Sequence, residues 1–433
     1  MHANATRKAA GRLVPLLGLC FFVSILDRTN VSIAALEMNA DIGLSATAYG
    51  LGAGVFFLGY FLFEVPSNLA LERFGARRWI FRIMVTWGLL AAAMALVQGP
   101  TSFYVLRFLL GAAEAGFFPG VVHYLHQWFG RREYAKVLAA LSAFGPAANA
   151  LGAPLSTTIL TNLGWHWVYV LEALPALVLA VVVLRALPDR VADARWLSEA
   201  DKQALTAHLA AEDTVSAHVP LRQALRERQT VLMCVQYLLI MTSSYGLVLW
   251  LPQVVQALGV STTATGWLSA IPFAVAAVGM VLWGRHSTRT DEQRWHAVVP
   301  CVLGAAAFAL GAVAGTPLLS MVLLSVAAFA VYTGASAFWA LPRLFVTGTA
   351  AAAATALTNS FGNLGGFVGP YLTGYVRDAT GSFTLALALL AVPLLAGGSM
   401  ALVTGRGPGR GARAGIDRTA VPTGTTTTTG GLS

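Results

Sequence analysis

Two arginines and two acids stand in otherwise apolar sequence in the first half of this 433-residue chain: Asp27 and Arg28 after the run 13–26, and Arg107 and Glu114 within 103–124. An ionisable side chain at bilayer depth costs roughly 2.5–3.5 kcal/mol even on the lenient insertion scale, so it persists where it faces a protein interior or a watery path. The residue types divide the chemistry. A guanidinium is a planar fork that matches a carboxylate and stays charged at any reachable pH, which suits anion capture. A carboxyl group takes up or releases a proton as it is dried or wetted, or as an arginine approaches or leaves. In a purely structural role the same four residues would be static ion pairs locking helices together.

Spacing adds geometry. Arg107 and Glu114 are seven apart, hence on nearly one helix face and about 10.5 Å apart along the axis. Gly111 lies between them on that face and leaves room for a ligand or a neighbouring helix. Asp27 and Arg28 are adjacent, so they point about 100° apart. One is expected to look toward a central path and the other toward a flanking helix.

The elements that position them are membrane helices. The chain is 57% hydrophobic and 11% charged, with mean hydropathy +0.68, against about 25% charged residues in soluble domains. Apolar runs of about 20 residues recur, rich in Ala, Leu, Val and Gly without strand-like alternation, which selects helices over barrel strands. Twelve spans are expected, near 13–36, 48–71, 79–98, 102–125, 138–162, 165–187, 229–257, 263–284, 296–315, 318–341, 348–375 and 382–404. Of the 28 Lys and Arg residues, Arg28 and Arg107 lie within spans and Arg377 precedes the last one; the others, Arg343 included, fall on one side if both termini are cytoplasmic. That asymmetry orients the chain with its N-terminus inside. The net charge of +9 follows this topology rather than forming a nucleic-acid patch. Cys20, Cys234 and Cys301 sit in apolar runs and imply no disulfide framework. His123 and His126, beside Arg131 and Arg132, read as interface residues, and no metal-like cluster stands out.

A single long hydrophilic stretch divides the chain. Residues 1–187 form an N-terminal six-helix bundle, 188–228 a cytoplasmic linker with a short surface helix, 229–404 a C-terminal six-helix bundle, and 405–433 a polar, Gly-rich tail expected to be disordered. The halves look like parallel copies: Arg73, Arg78 and Trp79 recur as Arg289, Arg294 and Trp295 at a constant offset of 216. At that offset Asp27, Arg28, Arg107 and Glu114 meet Ser243, Ser244, Leu323 and Ala330, so the intramembrane charge belongs to one half.

Several longer motifs carry a family likeness. They are Leu26-Asp27-Arg28-Thr29-Asn30; Phe56-Phe57-Leu58-Gly59-Tyr60-Phe61-Leu62-Phe63-Glu64-Val65-Pro66-Ser67-Asn68; Gly75-Ala76-Arg77-Arg78-Trp79; Arg107-Phe108-Leu109-Leu110-Gly111 with Glu114-Ala115-Gly116-Phe117-Phe118-Pro119-Gly120; and Gly362-Asn363-Leu364-Gly365-Gly366. Over residues 12–404 the chain resembles the major facilitator superfamily, and within it the anion:cation symporter family of bacterial organic-anion permeases. The resemblance implies an all-α integral membrane protein of two pseudo-symmetric bundles in a bacterial-type inner membrane, acting as a monomer without cofactor. It implies proton-coupled uptake of a small organic anion, with Asp27 and Glu114 carrying protons, Arg28 and Arg107 handling the anion, and Tyr60 and Asn359 or Asn363 touching substrate. Glu72, Arg73, Arg77 and Arg78 match the superfamily's gating loop.

The chain departs from the pattern where Glu72 replaces the usual loop Asp, where Thr288 leaves the second copy without its acid, and where Gly145 stands in place of a span-five amide seen in sugar-acid members. Asn359 and Asn363, one turn apart on a Gly-studded helix, fit either amide glue at a tight helix contact or substrate hydrogen bonding. Glu64 and Glu172 are not assigned to proton transfer. A membrane enzyme is a poor reading, since no nucleophile elbow, phosphate loop or His-rich metal signature occurs. An exporter or antiporter of the same fold, and a non-transporting sensor, are the alternatives to uptake.

Overall fold

The computed structural model describes residues 2–212, 227–290, 292–341 and 350–404, without the side chains of 131, 132 and 350–353. Arg343 and the tail 405–433 lie outside these. With no water in hydrocarbon to satisfy a backbone, each segment closes its own hydrogen bonds, and the described residues form helices and no strand.

The first half comprises α1 (His2–Asp41), α2 (Ala46–Phe74), α3 (Ala76–Ala93), α4 (Pro100–Glu114), α5 (Phe117–His126), α6 (Arg131–Ser142), α7 (Phe144–Leu163) and α8 (Trp165–Ala186). The surface helix α9 (Glu199–Glu212) precedes the second half, α10 (Arg228–Gln256), α11 (Thr262–Thr290), α12 (Arg294–Gly311), α13 (Pro317–Phe338), α14 (Ala350–Thr380), α15 (Phe383–Leu389) and α16 (Ala391–Thr404). Three expected spans are each two helices in line: the fourth is α4 and α5, the fifth α6 and α7, the twelfth α15 and α16.

Among the described residues, eleven helical segments are long and apolar enough to cross a membrane. The remaining expected span, the eleventh, is α14, which is 31 residues long but carries Thr355, Thr358, Asn359, Ser360 and Asn363. It packs between α2 and α10, so protein rather than lipid receives its polar face. Apolar side chains such as Leu69, Leu151 and Val278 point outward, the lipid-facing counterpart of this arrangement.

The packing pairs repeat between halves. α1 lies on α7 and α8 as α10 lies on α14 and α16, α3 pairs with α8 as α12 with α16, and α2 pairs with α4 as α11 with α13. Across the middle, α2 meets α14 and α7 meets α11, contacts that exchange under the same two-fold operation.

One face of the molecule is the end at which α1 starts, and the halves meet closely at the opposite end. There Asp378 accepts from the backbone N–H groups of Ala46 and Thr47 at 3.1 and 2.7 Å, and the Tyr49 hydroxyl donates to the Leu249 carbonyl at 2.9 Å. Side chains are missing where backbones touch: a Cβ on Gly50 would collide with the Pro370 carbonyl, and one on Gly374 with that of Ala46.

α1 begins eleven residues before the expected span. Its extra turns run over the linker, where Lys8 pairs with Asp201 at 2.7 Å, Arg12 covers Trp196 at 5.2 Å and His2 stacks on His208 at 4.4 Å. The hydropathy pattern ends at the lipid boundary, while the helix continues as far as it finds partners.

Candidate functional site

Three of the four intramembrane charges converge. Arg28 Nη2 donates to Glu114 Oε1 in a buried ion pair, and Arg28 Nη1 reaches the Tyr245 hydroxyl of α10 at 3.4 Å. The Arg28 guanidinium lies 5.3 Å from the ring centre of Phe56 and 5.2 Å from that of Tyr60. Arg107 lies 4.8 Å from the same Phe56 ring. An aromatic face attracts cations, and here one ring serves two guanidinium groups.

Although Glu114 lies within electrostatic range, Arg107 differs from Arg28 in forming no direct ion pair. It is fully buried, donates through Nη2 to the Ala53 carbonyl at 3.4 Å, and leaves Nε and Nη1 without partners. It forms no ion pair among the described residues. A buried donor without an acceptor costs about 1–3 kcal/mol, more when charged, so this guanidinium keeps unused hydrogen-bonding capacity inside the protein. At 1.5 Å per residue along α4, Arg107 sits about 10 Å and Glu114 about 20 Å from the face where that helix begins.

Glu114 ends α4. Ala115 is extended and Gly116 takes a left-handed φ of +81° before α5 resumes at Phe117, a conformation glycine adopts with little cost. A Cβ there would press on Ser67 as well. The hydropathy of 102–125 conceals this break because both fragments are apolar. Gly111 makes room for a helix, not a ligand: its missing Cβ lets α4 lie on the Phe56 carbonyl.

Asp27 faces away from the others. Its Oδ2 accepts from Trp87 Nε1 at 2.6 Å, in the seam between α1 and α3, and Trp87 meets Phe117 edge-on at 5.2 Å. The four charges thus divide into an Arg28–Glu114–Arg107 group and a separate buried carboxyl. Tyr60 joins the first group through its ring.

The α14 amides meet an acid. Asn359 Nδ2 donates to Glu64 Oε1 at 2.9 Å, the Ser360 hydroxyl donates to Oε2 at 2.9 Å, and Asn363 Nδ2 lies 3.5 Å from Oε2. These bonds join α2 to α14, so the amides here bind the halves together through Glu64.

The sequence matches the family model of the Major Facilitator Superfamily over residues 17–370 and 233–423. The chain belongs to this superfamily. Its members are transporters rather than enzymes. The chain is 43% identical over 414 residues to a candidate tartrate transporter of Agrobacterium vitis, covering 94% of this chain and 92% of that one. It is 42% identical over 404 residues to a protein of Acinetobacter baumannii named as a quinolone resistance transporter, covering 91% and 93%. Among solved structures, a D-xylose-proton symporter aligns with a TM-score of 0.70 at 17% identity, covering 92% of this chain and 97% of that one; identity that low speaks to the fold alone.

For a major facilitator, the gating-loop positions hold a partner the motif did not reveal. Asp189, from the linker, accepts from the Arg77 backbone N–H at 2.9 Å and pairs with Arg77 Nε at 3.4 Å, placing a carboxylate at the N-terminus of α3. Glu72, Arg73 and Arg78 are exposed. In the second copy Thr288 only donates to Gly284, but the loop keeps an acid at Glu292, which accepts from the N–H groups of Arg294, Trp295 and His296 at 2.9, 3.0 and 3.2 Å. Partial burial pushes the Glu292 carboxyl up, and these bonds outweigh it, holding it below the usual carboxylate range. Thr288 thus leaves the motif position itself without an acid, and Glu292, four residues later, caps a helix N-terminus instead.

Phe56, Tyr245 and Asn149 escaped sequence reasoning. Asn149, one turn beyond Gly145, donates to the Tyr332 hydroxyl across the halves at 2.9 Å and to the Gly145 carbonyl at 3.3 Å. An amide within the otherwise apolar stretch 143–155 is the signal that could have found it. Phe56 and Tyr245 leave no such trace, since aromatic residues are common in membrane helices.

Proposed function

We propose that the chain is a secondary active transporter that takes up a small organic anion, a mono- or dicarboxylate of hydroxy-acid or aromatic type, together with protons, by alternating access. The observation that carries this reading is Arg107, a wholly buried guanidinium with two unpartnered nitrogens, beside a second guanidinium already committed to an acid.

In this mechanism the substrate carboxylate docks on Arg107. Protonation of Glu114 removes the charge that holds Arg28 and releases a second guanidinium to the anion, with Phe56 and Tyr60 limiting where both can swing. Loss of the proton restores the Arg28–Glu114 pair and expels the substrate. Asp27 carries a second proton in its seam. The face at which α1 starts is cytoplasmic, consistent with the basic loops gathered there, and the membrane is a bacterial-type inner membrane.

The relative named for tartrate supports a carboxylate substrate, and the relative named for quinolone resistance favours export as the second reading. Uptake of labelled tartrate and other hydroxy and aromatic acids into proteoliposomes decides between them. Symport requires acceleration by an inward proton gradient and export by an outward one; an absence of flux for every acid in both directions would defeat the proposal.

A further inference from the structure

Beyond the anion site, α8 buries an acid that no step above employs. Glu172 is 2% exposed, its Oε1 accepts from the Ser156 hydroxyl of α7 at 2.6 Å, and its Oε2 has no partner. Asp27 from α1, also 2% exposed, lies within electrostatic range of it and keeps Oδ1 unpartnered. Between the helices, Asn30 turns its amide toward Glu172 without a hydrogen bond of normal geometry, so both its polar atoms are orphaned although the residue is 2% exposed. Asn30 and Ser156 line a cavity of about 10 Å³, close to the smallest that holds one water.

We propose that Glu172 and Asp27 form a two-carboxyl site holding one coupling proton, separate from the Arg28–Glu114 pair and wetted through the cavity beside Asn30. The inference rests on the symport reading above and adds a residue to it. Two buried carboxyl groups in electrostatic range of each other, neither with an ion-pair partner among the described residues, disfavour the doubly ionised state. The groups facing them are Trp87 on α3, Ser156 on α7, Asn30 on α1 and Tyr169 on α8, with Glu114 in electrostatic range of Asp27. None of these is a cation. A proton enters from water, bonds to a free carboxyl oxygen and neutralises one of the two charges; it leaves to water on the other side. Tyr169, whose hydroxyl meets Met38 Sδ at 3.5 Å, lies in electrostatic range of both Glu172 and Arg107, so an anion arriving at Arg107 is felt at the carboxyl site through space.

The test uses the full chain in proteoliposomes with Glu172→Gln and Glu172→Asp. Accumulation of the transported acid is read at equilibrium against the imposed pH difference, and substrate counterflow, which needs no net proton movement, is read alongside. If one proton is lost from the cycle, Glu172→Gln lowers accumulation about tenfold per pH unit, counterflow persists, and Glu172→Asp restores accumulation. Wild-type accumulation by Glu172→Gln overturns the proposal. So does parallel loss of counterflow by both variants, which marks Glu172 as structural. Infrared difference spectra of the purified protein between acid and alkaline pH supply a readout that needs no substrate: a protonated-carboxyl stretch present in wild type and missing in Glu172→Gln supports the site, and an unchanged band refutes it. A wild-type protein that moves no acid but loses this band in the variant would sink the transport reading and leave the proton site standing.

Discussion

A guanidinium stripped of water and given no direct ion pair in return is costly to the fold, and the proposed function assigns that cost to anion binding by Arg107. Replacing it by methionine removes the charge while filling much of the volume. We expect Arg107→Met to lose uptake of every carboxylate while its thermal stability stays equal or rises, because about 1–3 kcal/mol of unmet hydrogen bonding disappears. A drop in melting temperature of the kind a core cavity produces would instead mark Arg107 as a packing residue. Arg107→Lys keeps the charge without the fork and should bind dicarboxylates at least tenfold more weakly. Glu114→Gln imitates the protonated acid. It should retain substrate binding and counterflow yet fail to accumulate substrate against a gradient; normal accumulation would remove Glu114 from the coupling.

At the level of elements, α2 and α14 are joined by Glu64 and its three donors. If those bonds carry the contact, Glu64→Ala and Asn359→Ala are not additive: a double-mutant cycle should give a coupling of about 0.5–3 kcal/mol in thermal or chemical unfolding, and additivity would show the bonds to be incidental. The break between α4 and α5 makes a second demand. Gly116→Ala forces a side chain into a left-handed backbone at a cost of roughly 1–2 kcal/mol, displaces Glu114 from Arg28, and should lower both stability and transport. A variant indistinguishable from wild type in both would mean that the break is not needed to aim Glu114.

Across the whole molecule, the linker is tied to the first bundle through α9 and the start of α1. The Lys8 ammonium beside Asp201 holds that carboxyl below its ordinary range, so its contribution is complete above the unfolded carboxylate value of about 3.9, and is lost as pH falls through the lower folded value. Protection of residues 2–12 against hydrogen exchange, taken relative to the intrinsic rate at each pH, should therefore be high at neutral pH and fall in strong acid, and Asp201→Asn should show the lower protection already at pH 7. Equal exchange in wild type and variant would show that Arg12 over Trp196 and the stacked His2 suffice to hold the helix down.

Local sequence determined what depends on solvent. Runs of apolar residues fix how many times the chain meets lipid, Arg and Lys in the turns favour one orientation, and the cost of an ionised group in hydrocarbon singled out Asp27, Arg28, Arg107 and Glu114 before any coordinates. The repeat of Arg-x4-Arg-Trp at an offset of 216 likewise announced two related halves. Pairing was decided by tertiary structure, because a charge's partner can lie on any neighbouring helix and hydropathy is blind to azimuth. Thus Arg28 took Glu114 from 86 residues away, Asp27 turned to Trp87, Asn359 and Asn363 went to Glu64, and Arg107 was left without an ion pair among the described residues. The break at Gly116 and the acids at the starts of α3 and α12 were hidden for the same reason: they answer to backbone groups exposed by packing, and those exist only once the helices have met.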